Sequence, residues 1–561
     1  MADSMLILDR IYEHEERRRD EVFLIQPIGG GRVAEFTWGA VLGEARRMAA
    51  HLKSRGLEPG SSVAMLAKNS AHFFMVELAV WMAGCTTVAI FPTERAQNVR
   101  YVIEHSDARL LFVGKLDTWQ DQSSAIPSGL PCIALPLAPD TGFESWESIV
   151  GRTEPLGGRP MRDANDIAML LYTSGSTGEP KGVMQNFGTL TRTSELRVHM
   201  NHELGLLPAD VEWRVLSYLP LAHVYERAAI ECYALFAGGG RVYFTESLSS
   251  FMEDLKRARP TLFVSVPRLW LKFQQAVFQS IPAATLDALL DDPVAGPAVA
   301  RRVLASLGFE DVRCAITGSA PMPPALVAWY RRLGLNLLEG YAMTEDFCYS
   351  HLGAASHATP GFVGIPCPGV EVRLDADGEI LLKSPGRMVG YYKRPELSAA
   401  CFTADGFFRT GDLGERNPDG ELKITGRVKD LFKTAKGKYV APVPIENMLN
   451  AHPLVEQCIV AGMGQLAPFA VVVLAETLRP RLSDTEVLAQ VETQLCQLHR
   501  DTNEKLAQYE RLRMLVVARE PWSVDNGCLT PTLKIKRSSI EALLSAQVDA
   551  WYRREGPVLW A

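Results

Sequence analysis

Short apolar runs rich in β-branched residues alternate along the chain with stretches whose apolar positions recur at helical spacing. Residues 61–69 (SSVAMLAKN) read as a strand, 72–85 (HFFMVELAVWMAGC) as a helix, 86–92 (TTVAIFP) as a strand, 98–107 (NVRYVIEHSD) as a helix and 108–114 (ARLLFVG) as a strand. The rhythm returns at 260–267 and 268–279, and again at 311–320, 323–334 and 335–345. Strands alternating with helices predict βαβ units: an α/β fold of mostly parallel sheets covered on both faces.

After Gly361 the texture changes. GVEVRLDADGEILLKS and DGFFRTGDLGERNPDGELKITGR are alternating runs broken at Asp377-Gly378 and Asp419-Gly420, hairpin-type turns that predict a small antiparallel β subdomain. From about Asp430 a compact mixed α+β segment follows, ending in the basic stretch TLKIKRSS. The expected division is a large N-terminal domain, 1–428, and a small C-terminal domain, 429–561, with the boundary at 427–430.

Composition narrows the function. The 58 Lys and Arg against 65 Asp and Glu give a net charge of −7, and no Lys/Arg block exceeds the run at 17–19, which argues against a dedicated nucleic-acid binder. Ten cysteines are scattered singly without a C-x-x-C pair, which fits reduced thiols better than a disulfide framework or structural zinc. The charge-poor run at 78–91 is shorter than the ~20 residues a spanning helix needs, and the N-terminus lacks the basic–apolar–cleavage pattern of a secretory signal. A cytoplasmic enzyme is expected, with peripheral contact to a membrane left open.

The most informative segment is 170–184, LLYTSGSTGEPKGVM. An apolar strand runs into Thr173, Ser174, Gly175, Ser176, Thr177 and Gly178, and Lys181 follows. Small residues let the backbone approach an anion, hydroxyls and amides bond phosphate oxygens, and the lysine adds charge. It is not a Walker A loop, because no Gly-Lys-Ser/Thr triplet follows the glycines.

YTSGSTGEPKG resembles the phosphate-binding loop of the adenylate-forming (AMP-binding) superfamily. YLPLAHVYER (218–227), GSAPM (318–322), GYAMTE (340–345), RTGDLG (409–414), GRVKDLFKTAKGKYVAP (426–442) and LTPTLKIKR (529–537) resemble further family motifs in the correct order, from about Thr37 to Arg537. PLAHVYER and Pro-Thr-Leu-Lys are similar to the long-chain fatty acyl-CoA synthetase branch. The family fold is a large α/β domain with a small mobile C-terminal one.

The resemblance implies roles residue by residue. Gly318, Ser319 and Ala320 form one wall of the adenine pocket, a strand-end turn where open α/β sheets bind ligands, and Tyr341 stacks on the purine. Thr344 accompanies Glu345, which contacts Mg²⁺. Asp412, read as lying in a turn between short strands, accepts the ribose hydroxyls, and Arg427 also contacts the ribose. Lys429 is the hinge. His223 lines the acyl and phosphate region, Lys433 serves the second half-reaction, and Lys534 is the catalytic lysine bridging carboxylate and α-phosphate. Two positions depart from many relatives: Ala342 and Leu533 stand where glycine is common.

Each residue taken singly also has a bland reading: a core tyrosine, a turn aspartate, a structural histidine, solvated lysines. The ordered set favours an ATP-dependent ligase that makes an acyl-adenylate from a fatty acid and passes the acyl group to CoA. One alternative is transfer to a separate acyl carrier protein. The other is a non-catalytic acyl or nucleotide sensor, which the retention of Lys181, Glu345, Asp412, Arg427 and Lys534 argues against.

Overall fold

The computed structural model describes residues 5–173, 179–208, 211–353, 358–530 and 534–561. The phosphate-loop residues Ser174, Gly175, Ser176, Thr177 and Gly178 lie outside the described residues.

The βαβ rhythm is realised. An eight-stranded sheet carries six parallel strands, from Ile167–Thr173 through Thr86–Ile90, Ser62–Leu66 and Leu110–Val113 to Cys132–Ala134 and Glu144–Ser145. Lys181–Asn186 folds back antiparallel on Ile167–Thr173, and Gly390–Tyr391 adds the edge. The helix Ala71–Met82 is buried on every face, which is why its sequence is apolar without a polar stripe. A second sheet orders Leu262–Ser265, Cys314–Thr317 and Leu337–Tyr341 in parallel, then His351–Leu352 and Ile365–Pro366 antiparallel. A third, not anticipated, joins Val22–Pro27 and Val33–Thr37 to Trp213–Ser217 and Gly240–Phe244.

The expected antiparallel unit is Glu371–Leu374, Glu379–Lys383, Phe408–Arg416 and Leu422–Arg427. Its first and last hairpins turn at Asp377-Gly378 and Asp419-Gly420 as the sequence predicts. From Val455 to Trp560 a four-stranded sheet is flanked by the helices Pro442–Asn450, Thr485–Lys505 and Arg537–Tyr552. The apolar clusters on its two faces are built from residues 432–560 alone. Among the described residues no helix is long and apolar enough to cross a membrane, and the ten cysteines are free thiols.

Candidate functional site

The loop of the phosphate motif joins Ile167–Thr173 to Lys181–Asn186, with Thr173 paired to Lys181 across the hairpin. The Lys181 Nζ lies 5.3 Å from the centroid of the Tyr391 ring, a cation–π contact. The Tyr391 hydroxyl donates to Glu345 Oε1 at 2.7 Å. Tyr391 thus ties the lysine of one motif to the carboxylate of another, and no local sequence signal marked it.

Thr344 and Glu345 sit on the tight turn Thr344–Asp346. Gln185 Nε2 donates to the Thr344 carbonyl at 3.0 Å, and the Met388 amide donates to the Glu345 carbonyl at 2.8 Å. Asp346, 3% exposed, accepts the Met343 and Tyr349 amides on Oδ1 at 3.0 and 3.3 Å. Burial pushes its carboxyl up to about 7. The next residues, Phe347 and Cys348, hold φ of +48° and +57°, strain that persists because these bonds fix the turn on both sides. Gly386 permits the closure: a Cβ there would meet the Asp346 carbonyl oxygen at 1.9 Å.

Tyr341 ends its strand beside the turn at 318–320. Gly318 lies against the Gly340 carbonyl, where an added Cβ would stand at 3.3 Å, and Ser319 and Ala320 are exposed. Ser319 adopts φ +70°, the left-handed region that side chains rarely occupy. The Tyr341 hydroxyl donates to Asp412 Oδ2 and Arg427 Nε donates to Asp412 Oδ1, both at 2.7 Å. Asp412 lies not in a turn between strands but inside Phe408–Arg416, paired with Arg427. The turn reading is corrected here: Gly411, at φ +69°, breaks the pleat within one continuous strand.

His223 caps the short helix that follows it, its Nδ1 accepting the Tyr225 amide at 3.1 Å. That bond leaves the other ring nitrogen to carry the proton. Burial, reinforced by Lys534, pulls its pKa down to about 3, so the imidazole is neutral at physiological pH. Lys534 is exposed to solvent, with Arg427, Asp412 and Glu345 near enough to act on its charge. Desolvation there, and then the Arg427 guanidinium, lower its ammonium from the ordinary lysine range, while Asp412 and Glu345 partly offset the shift. Lys429, exposed on the turn Val428–Asp430, is lowered by partial desolvation from the protein around it, then by Arg427, with Lys181 adding to the effect.

Six expected residues from five motifs are therefore linked through Lys534 and Asp412: His223, Glu345, Asp412 and Arg427 act on or feel Lys534, and Tyr341 and Arg427 bond Asp412. Arg427 adds to the desolvation that lowers Lys534 and Lys429, and a polyanion bound beside them would offset both effects. Lys433 is not part of this group. It is exposed on the Phe432–Lys433 strand with its Nζ 5.5 Å from the Tyr439 ring, and no hydrogen bond or ion pair links it to the cleft among the described residues.

The AMP-binding enzyme family model matches residues 11–392, and the model of the AMP-binding enzyme C-terminal domain matches 429–556. The chain belongs to the AMP-binding enzymes, the adenylate-forming class. It is 29% identical to the long-chain-fatty-acid–CoA ligase FadD15 of Mycobacterium tuberculosis, over 97% of this chain and 96% of that one. It is 27% identical to human long-chain-fatty-acid–CoA ligase 1, over 88% of this chain and 78% of the relative. Its fold matches the A-PCP didomain of a carboxylic acid reductase from Segniliparus rugosus in complex with AMP, with a TM-score of 0.80 and 23% identity over 98% of this chain and 82% of that chain. It also matches the anthranilate CoA ligase AuaEII in complex with anthranoyl-AMP, with a TM-score of 0.76 and 22% identity over 97% and 98%.

Proposed function

We propose that this protein is an ATP-dependent fatty acid–CoA ligase. In the first step a carboxylate oxygen of the fatty acid attacks the α-phosphorus of ATP, a new P–O bond forms, and the bond to pyrophosphate breaks. In the second the CoA thiolate attacks the acyl carbon and AMP leaves with the electron pair of its C–O bond. Both nucleophiles come from substrates, which fits a site of cations and hydrogen-bond donors.

The observation that supports the reading is that Lys534 of the C-terminal segment lies within electrostatic reach of Arg427, Asp412 and Glu345. There its Nζ would hold carboxylate and α-phosphate together and offset the negative charge gathering between them. Tyr341 and the turn 318–320 would take the adenine, Asp412 and Arg427 the ribose, and Thr173, Lys181 and the loop between them the β- and γ-phosphates. Thr344 and neutral His223 would border the carboxylate.

Glu345 fits Mg²⁺ arriving with ATP. No cluster of three or more metal-binding side chains occurs among the described residues, so phosphate and water oxygens would complete its coordination. The ion would supply charge neutralisation at the phosphates.

For the second step, the segment 429–561 would turn about Lys429, withdrawing Lys534 and bringing Lys433 forward. The long-chain relatives support a fatty acid as the substrate. Since apolar transfer contributes ~0.8 kcal/mol per buried CH₂, activity should rise with chain length to about C12–C18.

The test is pyrophosphate release over a panel of carboxylic acids, with and without CoA. The reading predicts that fatty acids lead and that CoA is consumed. A panel led by acetate or benzoate would contradict the substrate class. Adenylation without thioester formation would point to a carrier-protein acceptor.

A further inference from the structure

The segment that carries Lys534 is held by a residue far away in the chain. Arg95 precedes the helix Ala96–His105 at the end of the turn after Thr86–Ile90. Its Nη2 donates to two main-chain carbonyls of the C-terminal segment, Asp525 at 2.6 Å and Val524 at 3.2 Å. The approach is close enough that a Cβ at Gly527 would stand 3.6 Å from the same nitrogen.

Hydrogen bonds among the described residues link these carbonyls to Lys534. Asn526 Oδ1 accepts the Ser523 and Cys528 amides at 2.9 and 3.2 Å, Asn526 Nδ2 donates to the Pro521 carbonyl at 2.9 Å, and the Leu529 amide donates to the Ser523 carbonyl at 2.9 Å. The Lys536 amide bonds the Cys528 carbonyl and the Thr530 amide bonds the Lys534 carbonyl, both at 2.8 Å. Residues 523–530 therefore pass on their placement to Lys534.

We propose that Arg95 is a positioning residue for Lys534, docking the loop 523–530 so that the lysine is presented for adenylation. The proposal rests on the two-step reading above. Among the described residues the hydrogen bonds of Arg95 go to backbone alone, so its effect belongs to the state in which the loop is docked and disappears once the C-terminal segment turns away. A separate attachment, Arg268 Nη2 to Glu456 Oε1 at 2.5 Å with Arg479 on the other Glu456 oxygen at 2.9 Å, keeps the segment seated when the loop is released. Losing Arg95 should thus loosen the loop alone.

The test compares Arg95→Ala and Arg95→Lys with the unaltered enzyme in two assays: pyrophosphate release from ATP and fatty acid, and thioester formation from synthetic acyl-adenylate plus CoA. Arg95→Ala should slow the first by about tenfold and leave the second at or above the unaltered rate. Arg95→Lys, whose single ammonium is a poorer match for two carbonyls, should fall between. Equal loss in both assays would make Arg95 a general structural residue and overturn the proposal, as would no loss in either.

Amide hydrogen exchange over 523–536 reads the clamp without activity. It should speed up in Arg95→Ala while 455–475 stays protected; unchanged exchange would overturn the proposal. If the unaltered enzyme releases no pyrophosphate with any acid, the two-step reading fails. If Lys534→Ala is crippled and Arg95→Ala is normal, only the present proposal fails.

Discussion

Asp412 and Arg427 are cross-strand partners, and the arginine Nε donates to the aspartate Oδ1 at 2.7 Å while Tyr341 occupies Oδ2. Both carboxylate oxygens are thereby oriented before any nucleotide arrives, each with acceptor capacity left for a hydroxyl. A cis-diol set against this edge would find its acceptor already fixed.

Asp412→Asn should therefore weaken ATP binding. The amide accepts at one position only: its NH₂ either opposes Arg427 or donates to Tyr341, and on that side no acceptor is left for a ribose hydroxyl. Hydrogen bonds to charged groups contribute about 1.5–3 kcal/mol, roughly 10- to 100-fold in affinity. Titrating ATP in the pyrophosphate assay checks this, and an unchanged ATP dependence would remove Asp412 from the nucleotide site.

Arg227 should matter to the fold more than to the chemistry. It is wholly buried, with Glu77 Oε2 at 2.6 Å and Glu231 Oε2 at 2.7 Å, and its guanidinium lies 5.1 Å from the centroid of the Phe73 ring. Removing the cation leaves two buried carboxylates facing each other. Arg227→Met should cost about 3–5 kcal/mol of stability, seen as a large drop in Tm. Adding Glu77→Gln and Glu231→Gln should recover much of it, since the penalty is the uncompensated charge. An unchanged Tm in the single variant would contradict this.

Asp346 gives a pH prediction. Its folded pKa, about 7, lies above its ordinary 3.8 because burial favours the neutral acid. The native state thus keeps a proton that the unfolded chain has released. Stability from this group is fully present below pH 3.8 and is lost as pH rises through 7, at up to about 1.4 kcal/mol per pH unit. Asp346→Asn mimics the neutral acid and keeps an Oδ1 acceptor for Met343 and Tyr349. The Tm difference between variant and unaltered protein should grow in the variant's favour from about pH 4 to 7 and then level off. A difference independent of pH would mean that Asp346 does not titrate there.

Much of this was legible because it is local. The strands around 62–113 alternate with helices over short spans, and the Asp-Gly turns at 377–378 and 419–420 carry their own conformational preference, so period and turn chemistry suffice. The helix Ala71–Met82 was readable for the same reason. What was hidden depends on distant partners. Arg227 reads as one charge in VYERAAIEC, and its counter-ion Glu77 lies in an apolar helix 150 residues earlier. Tyr391 becomes notable only when the edge strand sets it between Lys181 and Glu345. Arg95 meets the Lys534 loop across 429 and 430 positions. Asp412 shows the opposite limit: Gly411 resembles a turn signal, but the pairing with Leu422–Arg427 overrides it and keeps the strand continuous.

If Lys534 acts in adenylation, the Lys534→Ala variant run in two halves shows it most directly. From ATP and fatty acid, pyrophosphate release should fall on the order of 10²–10³, the usual cost of losing one preorganised charge at the reacting atoms. From synthetic acyl-adenylate and CoA, thioester formation should remain near the unaltered rate. Normal pyrophosphate release in the variant would contradict the account and return Lys534 to the status of a charge in a basic tail.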